Sequence, residues 1–183
     1  MKREPEYKVL TLSPKKLAEA CTRLEEVILA DGVVPDAVLT IASGGDFVGE
    51  MMFTDIPHFS TKAQRPSTKY KGSLVKAILK IIPYSIKNKL RIIEAKKLKG
   101  ASKPISKINL PPLPYEGTLL IIDDAVDSGI TLKAVSNTVA EHYPDLNIKT
   151  AVITVTTQTP AINPDYSLFR NSTLIRFPWS ADY

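Results

Sequence analysis

The sequence has 183 residues, of which 44% are hydrophobic and 23% charged, a size and balance typical of one globular domain. The formal charge is +5, but residues 61–107 hold 14 of the 24 basic side chains and one acid, which leaves 10 basic and 18 acidic groups elsewhere. The single cysteine excludes a disulfide framework and a cysteine-based zinc site. No apolar run has the length of a membrane-spanning helix, and the N-terminal residues show no signal core, so we expect a cytoplasmic protein.

The first elements predicted are a helix and a buried strand. Apolar residues at helical spacing follow Ser13 and Pro14 and stop before Gly32, which predicts a capped amphipathic helix. These apolar residues are Leu17, Ala20, Cys21, Leu24, Val27 and Ile28. The short apolar run over 37–42 then predicts a buried strand, and residues 43–45 predict a turn.

A second helix over 47–53 and a second strand over 56–61 lead into the basic segment. Within that segment, two sets of apolar residues at helical spacing predict two amphipathic helices separated by Pro83, which cannot continue a helix. The first set is Leu74, Val75, Ile78, Leu79, Ile81 and Ile82, and the second is Ile86, Leu90 and Ile93. Residues 100–114 contain four prolines and are expected to form a loop.

The last part of the chain alternates strand, helix and strand. Residues 118–122 predict the strongest strand, residues 131–143 a helix, residues 148–157 another buried strand and residues 173–177 a short terminal strand. Strands that alternate with helices favour an α/β fold, with a Rossmann-like parallel sheet flanked by helices.

The end of the strand over 118–122 carries the most informative cluster of polar residues. Ligands bind at the carboxyl ends of strands in such sheets, and this strand delivers Asp123 and Asp124 to that edge. The following segment, 127–131, leads into a helix, and its amides and hydroxyls suit a phosphate dianion. Carboxylates suit hydroxyl donors or Mg²⁺. Together they predict a sugar phosphate ligand. The alternative, in which Asp127 only caps a helix, is disfavoured because three neighbouring acids repel one another.

A second strand end carries Ser43, Gly44 and Gly45. Glycines at such a junction allow the backbone to approach an anion closely. A pair of glycines after a strand often forms only a turn, so these residues predict an anion site only in combination with the acidic cluster.

Residues 119–131 resemble the signature of the type I phosphoribosyltransferase family, whose members use phosphoribosyl pyrophosphate (PRPP). That signature is a hydrophobic strand, two acids, two apolar residues, an acid, Thr or Ser, Gly, any residue and Thr. Residues 36–51 look like the family's pyrophosphate-loop strand and helix. The tail, 165–179, looks like the hood of the bacterial xanthine–guanine/hypoxanthine phosphoribosyltransferases. The resemblance implies one domain over 1–183, with a partly helical insertion over 61–114 and a hood over 158–183.

The resemblance also implies a role for each matching residue. Asp123 and Asp124 would hold the ribose hydroxyls, directly or as ligands of Mg²⁺, and Asp127 would be the catalytic proton acceptor facing the base. The 5′-phosphate would lie on Asp127, Ser128, Gly129, Ile130 and Thr131. The pyrophosphate would lie on Ser43, Gly44 and Gly45, and the base on Leu174 and Ile175.

Several positions depart from the family pattern. The purine enzymes usually carry a lysine that contacts the 6-oxo group, where this chain has Thr156, Thr157 and Gln158. Leu174 stands where an aromatic residue stacks on the purine, and Ser43 stands where the xanthine–guanine enzymes have arginine. Those enzymes also have an acid after Pro-Trp, where this chain has Ser180.

The resemblance implies Mg²⁺-dependent transfer of the phosphoribosyl group from PRPP to a nucleobase of the purine type. It also implies a homo-oligomer, which we expect to be a dimer. The alternative is a regulatory protein, or one binding a nucleic acid or protein partner, that keeps the PRPP site without efficient transfer. A phospho-acceptor signalling domain fits poorly, because such domains spread their acids over separate strands.

The basic segment leaves four roles open. Lys62, Arg65, Lys69 and Lys71 could steer or clamp PRPP. The two helices could instead be a hairpin with a solvated basic face, packed on the body or on a sister subunit. Lysine-rich faces opposite Leu and Ile also suit an anionic lipid surface. Nucleic acid is the fourth partner, although the segment has few aromatic residues for stacking.

Overall fold

A computed structural model describes residues 7–64, 82–98, 105, 107–170 and 172–183. The strands are β1 (Lys8–Thr11), β2 (Ala37–Ile41), β3 (His58–Gln64), β4 (Lys107–Asn109), β5 (Gly117–Val126), β6 (Leu146–Val155), β7 (Tyr166–Phe169) and β8 (Thr173–Arg176). The helices are α1 (Pro14–Ala30), α2 (Gly44–Gly49), α3 (Tyr84–Leu98) and α4 (Ile130–His142). No helix in these described ranges is long and apolar enough to cross a membrane.

The strands form a six-stranded sheet in the order β4-β3-β2-β5-β6-β7 and a separate pair, β1-β8. All neighbours in the larger sheet are parallel except β3 and β4. From β2 the chain continues to β3 on one side, whereas from β5 it continues to β6 on the other. The boundary between β2 and β5 is therefore the switch point at which α/β sheets bind ligands.

Side chains alternate along the central strands and fill two apolar layers. Val38 and Leu120 face the layer that contains α1 and α2, whereas Leu39 and Ile121 face the layer that contains α4. Both faces of β2 are covered, and all five of its residues are buried. This burial explains why β2 is a continuous apolar run without polar alternation, and it confirms the α/β fold with a mostly parallel sheet flanked by helices.

Several predicted elements are confirmed with small changes of boundary. α1 begins after Ser13, whose hydroxyl accepts a hydrogen bond from the Lys16 amide at 3.3 Å. β2, β3, β6, α4 and β8 match their predicted segments within a few residues. β5 is longer than predicted and continues to Val126, because its pairing with β6 extends through Asp123 to Val126.

Other predictions were wrong. α2 begins at Gly44, three residues earlier than predicted, and ends at Gly49. β4 lies within the expected loop, where its three residues pair with the end of β3. Neither β1 nor β7 was predicted. These short strands carry little periodic signal of their own and form only because β8 and β6 lie beside them.

The second helix of the basic segment forms, but its faces are inverted. Ile86, Leu90 and Ile93 are 48%, 46% and 49% exposed, whereas Lys87 is buried and its ammonium lies 4.7 Å from the Tyr84 ring centroid. The first predicted helix of this segment lies largely outside the described residues, as do Arg65, Lys69 and Lys71.

α3 is held against the C-terminal residues by a carboxylate shared between two arginines. Asp182 Oδ1 lies 2.7 Å from Arg91 Nη1, and Asp182 Oδ2 lies 2.9 Å from Arg176 Nε. Arg176 is almost completely buried and also donates to Thr11 Oγ1 and Asn88 Oδ1. The guanidinium is therefore paired on all sides, as a buried charge requires.

We expect Asp182→Asn to lower the free energy of unfolding at neutral pH. Burial alone would raise the pKa of Asp182, but the hydrogen bonds and charges of Arg176 and Arg91 outweigh it and hold the pKa below its ordinary value. The loss should be about 2 kcal/mol, below the range of a fully buried pair because Asp182 keeps partial exposure. Urea unfolding measures it.

The pH dependence of this loss identifies its cause. A lowered folded-state pKa contributes stability above the unfolded pKa, about 4, and that stability disappears as the pH falls through the folded value. The difference between the wild type and Asp182→Asn should therefore shrink below about pH 4. Asp145→Asn, in an exposed turn before β6, is the control. A difference that stays constant down to about pH 3 would contradict the ion pair as the source.

Candidate functional site

Two polar segments predicted from sequence meet at the switch point. β2 ends before Ser43, Gly44 and Gly45, and β5 runs directly beside β2, with Thr40 in register with Ile122. The residues that follow Ile122 on β5 are Asp123 and Asp124. The structure thus brings the glycine turn and the acidic strand end to one edge of the sheet.

The glycine turn lies against the acidic strand without space for side chains. A Cβ on Gly44 would lie 2.2 Å from Asp124 Oδ2, and a Cβ on Gly45 would lie 2.6 Å from the Ile122 carbonyl oxygen. The Ala42–Ser43 peptide bond just before them is cis. Contact this close requires glycine at both positions, and it explains why α2 can begin immediately after the turn.

Asp123 and Asp124 form a pair of half-buried carboxylates. Burial raises the pKa of Asp123 well above its ordinary value, and the charge of Asp124 raises it further. Burial also raises the pKa of Asp124, although a hydrogen bond from Trp179 opposes that rise. Asp123 Oδ1 accepts the Asp124 amide at 2.9 Å. The hydrogen bonds to Asp123 and Asp124 therefore offset only part of the cost of their negative charge.

Trp179 supplies that hydrogen bond from the C-terminal tail. Its Nε1 donates to Asp124 Oδ2 at 3.1 Å, and its ring is stacked between two phenylalanines. The ring centroids lie 4.7 Å from Phe47 on α2 and 4.8 Å from Phe177. This tryptophan therefore packs against α2 and the tail and also makes a polar contact with the acid pair.

Trp179 lines one cavity and Asp123 lines another. The larger, about 250 Å³, is apolar and is lined by Pro14, Leu17, Phe47, Met51, Pro178 and Trp179. The smaller, about 30 Å³, is lined by residues of the acidic strand end and the following turn: Asp123, Ala125, Val126, Asp127, Ser128, Gly129, Thr131 and Leu132. Two of the three acids, Asp123 and Asp127, and the hydroxyl-bearing turn that follows them line the smaller cavity, so we place this part of the site there.

Asp46 anchors the first turn of α2 to the two neighbouring strands. Its Oδ1 accepts hydrogen bonds from Thr40 Oγ1 on β2 and from Ser60 Oγ on β3, the latter at 2.7 Å. No local sequence pattern marks Asp46, because its partners come from two separate strands. The contact fixes the glycine turn relative to the sheet.

The segment 127–131 forms a tight turn into α4. Gly129 has a φ of 77° and is buried, and the Ser128 carbonyl accepts the Ala161 amide at 2.8 Å. Ser128 Oγ accepts the Ile130 amide at 3.4 Å. The turn is thereby held from behind by residues 160–162 of the predicted hood, and α4 begins at the site with its amide-bearing end.

Thr156 contacts the last acid of the cluster. Thr156 lies one residue past β6, and its Oγ1 donates to Asp127 Oδ1 at 2.7 Å. In the sequence, Thr156 is distinguished only as a departure from the family's lysine. No local pattern predicts this contact, since the two residues are 29 positions apart.

The predicted base-contacting residues lie on β8. Leu174 and Ile175 are both buried, and Ile175 belongs to the apolar layer that contains α1. The Ile175 carbonyl accepts a hydrogen bond from Arg91 Nη2 at 2.6 Å. β8 is tied to β6 by a hydrogen bond from Thr154 Oγ1 to the Thr173 carbonyl at 2.8 Å. Their contact with a base stays a prediction.

The carboxylates of Asp123 and Asp124 suit a divalent cation, but they supply only some of the ligands that such an ion needs. In the part of the chain that the structure describes, no group of three or more His, Cys, Asp or Glu side chains suits a metal ion. Mg²⁺ is nonetheless commonly held by one or two carboxylates together with substrate phosphates and water. The raised pKa values of Asp123 and Asp124 fit such an ion, because a cation would compensate their charge.

Comparison with protein families matches residues 12–183 to the phosphoribosyl transferase domain. Comparison with curated proteins gives no match.

Solved structures share the fold at low sequence identity. A purine phosphoribosyltransferase from Pyrococcus horikoshii Ot3 has a TM-score of 0.63 and 20% identity, with 94% of this chain and 93% of that chain covered. The xanthine-guanine-hypoxanthine phosphoribosyltransferase of Helicobacter pylori has a TM-score of 0.65 and 16% identity, with 95% and 93% covered. A hypothetical protein from Neisseria gonorrhoeae with bound ppGpp has a TM-score of 0.67 and 17% identity, with 97% and 92% covered.

Two glycines with the same φ of 77° test how tightly the turn before α4 is packed. Around Gly32 nothing lies within 4 Å of an added Cβ, whereas at Gly129 the Ala161 nitrogen would lie 2.9 Å away. Gly32→Ala should cost about 1 kcal/mol for its backbone conformation alone. Gly129→Ala should cost at least about 2 kcal/mol more, because backbone must move. Urea unfolding of both variants measures this, and equal losses would contradict the close packing.

We expect Asp123→Asn to stabilise the ligand-free protein. The amide removes a desolvated charge and its repulsion with Asp124, while Oδ1 can still accept the Asp124 amide. The gain should be about 1 kcal/mol, or roughly 3 °C in melting temperature for a chain of this length. Thermal unfolding without divalent cations measures it, with Asp145→Asn as the control. A lower melting temperature would show that the acid pair is not strained by its charge.

Proposed function

This chain belongs to the phosphoribosyl transferase domain family and is an enzyme of the glycosyltransferase type, and we propose that it transfers the 5-phosphoribosyl group of PRPP to a purine-type nucleobase with release of pyrophosphate. The observation that carries the proposal is the meeting of two turns, 43–45 and 127–131, at the sheet edge that bears the carboxylates of Asp123 and Asp124. The names of two structures with this fold, a purine and a xanthine-guanine-hypoxanthine phosphoribosyltransferase, support a purine acceptor.

The two turns suit the two anionic ends of PRPP. The 5′-phosphate is assigned to 127–131, where the amides at the start of α4 and the hydroxyls of Ser128 and Thr131 favour a dianion. The pyrophosphate is assigned to 43–45, where backbone without side chains allows close approach. The ribose lies between them, and its hydroxyls donate to Asp123 and Asp124.

Mg²⁺ is part of this proposal. Asp123 and Asp124 would hold it together with oxygens of PRPP, and when bound it supplies positive charge that offsets the charge of the departing pyrophosphate. The Trp179 contact with Asp124 Oδ2 keeps that carboxylate in one orientation.

The bonds exchanged involve C1 of the ribose. The bond between C1 and the pyrophosphate oxygen breaks, and the electron pair leaves with pyrophosphate. A ring nitrogen of the base supplies the electron pair of the new bond to C1. The proton carried by the imidazole ring of the purine passes to the Asp127 carboxylate, a general base that is exposed at the site. Leu174 and Ile175 are proposed to lie against the base.

Three further expectations belong to the proposal: a place in purine salvage, a homodimer and a cytoplasmic location. The insertion and hood boundaries also stay predictions. Of the roles proposed for the basic segment, the packing of α3 against the tail supports the one in which this helix packs on the body of the protein. Binding to lipid or nucleic acid is left to experiment.

We expect purified protein with Mg²⁺ and PRPP to release pyrophosphate only when a suitable base is present. Asp127→Asn should lower kcat by about 100-fold or more, because an amide cannot accept the proton. Asp123→Asn should weaken PRPP binding in the presence of Mg²⁺, in contrast to its effect on stability. A coupled pyrophosphate assay over purines, pyrimidines and related heterocycles measures turnover, and calorimetry measures PRPP binding.

Asp145→Asn should keep full activity, because Asp145 is exposed and precedes β6 at the edge of the sheet opposite the site. PRPP binding without turnover on any base would contradict transfer and favour the regulatory alternative. Turnover that survives in Asp127→Asn would remove that residue from the mechanism.

A further inference from the structure

We propose that Thr156 positions the Asp127 carboxylate by donating a hydrogen bond to it. Because its proton is used in this bond, the Thr156 hydroxyl can only accept a hydrogen bond from the base. The enzyme therefore prefers a purine with an amino group at C6 over one with an oxo group. This inference rests on the proposed function and specifies its substrate class.

The backbone of Thr156 is fixed at the end of the sheet. Its amide donates to the Val126 carbonyl at 2.9 Å, which continues the pairing of β6 with β5 beyond the last strand residue. Asp127 is the next residue after that carbonyl. The two side chains therefore leave adjacent, paired strands, and the bond of 2.7 Å between Thr156 Oγ1 and Asp127 Oδ1 sets the orientation of an otherwise exposed carboxylate.

The direction of this hydrogen bond is determined by its partners. An ionised carboxylate can only accept, and a threonine hydroxyl has one proton to donate. The Val126 carbonyl is a second acceptor for that proton, but it lies 3.4 Å from Oγ1 and carries no charge. The shorter, charge-assisted bond to Asp127 is favoured. The lone pairs of Thr156 Oγ1 are what remains for a ligand.

A purine presents two neighbouring groups that match this pair. Its N7 and its C6 substituent point to the same side of the ring, at a separation similar to that of a hydrogen-bonded pair of side chains. With the N7 proton directed at Asp127, the C6 substituent faces Thr156. An amino group donates to the free lone pairs, whereas an oxo group would place lone pairs against lone pairs and leave both groups unsatisfied.

The experiment compares adenine with hypoxanthine, which differ at C6, across three proteins: the wild type, Thr156→Val and Thr156→Ser. Valine keeps the branched shape without the hydroxyl, and serine keeps the hydroxyl. The wild type should show a kcat/KM for adenine at least about tenfold above that for hypoxanthine. Thr156→Val should lower kcat with adenine by about tenfold or more and reduce the preference, while Thr156→Ser keeps both within about threefold.

PRPP binding in the presence of Mg²⁺ should change less than about twofold in both variants, since Thr156 is assigned to the base side of the site. Unchanged kcat in Thr156→Val, or an equal loss in Thr156→Ser, would overturn the positioning role. A wild-type preference for hypoxanthine would overturn the assigned polarity. If Thr156→Val does not fold, Thr156→Ala is the second hydroxyl-free variant. Absence of turnover with every base in the wild type would overturn the proposed function itself, and the inference with it.

Discussion

Two adjacent, half-buried carboxylates at the carboxyl end of β5 repel each other, and the neighbouring elements are shaped by that constraint. Burial and mutual repulsion raise the pKa of Asp123, so its ionised form needs compensation. On one side the backbone of Gly44 lies so close that a Cβ would collide with Asp124. On the other side Trp179 donates its only polar hydrogen to Asp124. The pair is held rigidly but its charge is only partly offset, which suits a site that completes its electrostatics by binding a cation and hydroxyl groups.

The tail that carries Trp179 is itself held by the basic segment. Phe177 stacks on Trp179, and the Phe177 amide donates to Ser180 Oγ at 3.0 Å. One residue earlier, Arg176 shares Asp182 with Arg91 of α3. A continuous series of contacts therefore leads from α3 through the tail to the acid pair. Some basic residues of this segment are therefore internal: Lys87 is buried and Arg91 pairs with Asp182. They are not all available for an external anionic partner.

The sequence predicted most elements of the sheet and the chemistry of its edge. The run from residue 119 to 131 combined a strand, three acids and a glycine-containing turn, and each of these signals is local. The wrong predictions have a common cause in contacts distant along the chain. α2 begins early because Gly44 and Gly45 fit against β5, and β4 exists because β3 offers it an edge. α3 exposes Ile86, Leu90 and Ile93 because Arg91 finds its partners in the C-terminal residues, 84 and 91 positions away along the chain.

By itself the sequence determined the α/β order, the position of the turn at 127–131 and the identity of the acids, since periodicity and short motifs depend on residues a few positions apart. The tertiary structure alone decided what surrounds those acids. Thr156 reaches Asp127 across 29 positions, Trp179 reaches Asp124 across 55, and Arg91 reaches Asp182 across 91. A hydrogen bond acts over about 3 Å in space and leaves no periodic trace in the chain. The uneven charge seen in the sequence thus corresponds to two separate features of the structure. One is the acid pair at the sheet edge, and the other is a basic helix that packs against the tail.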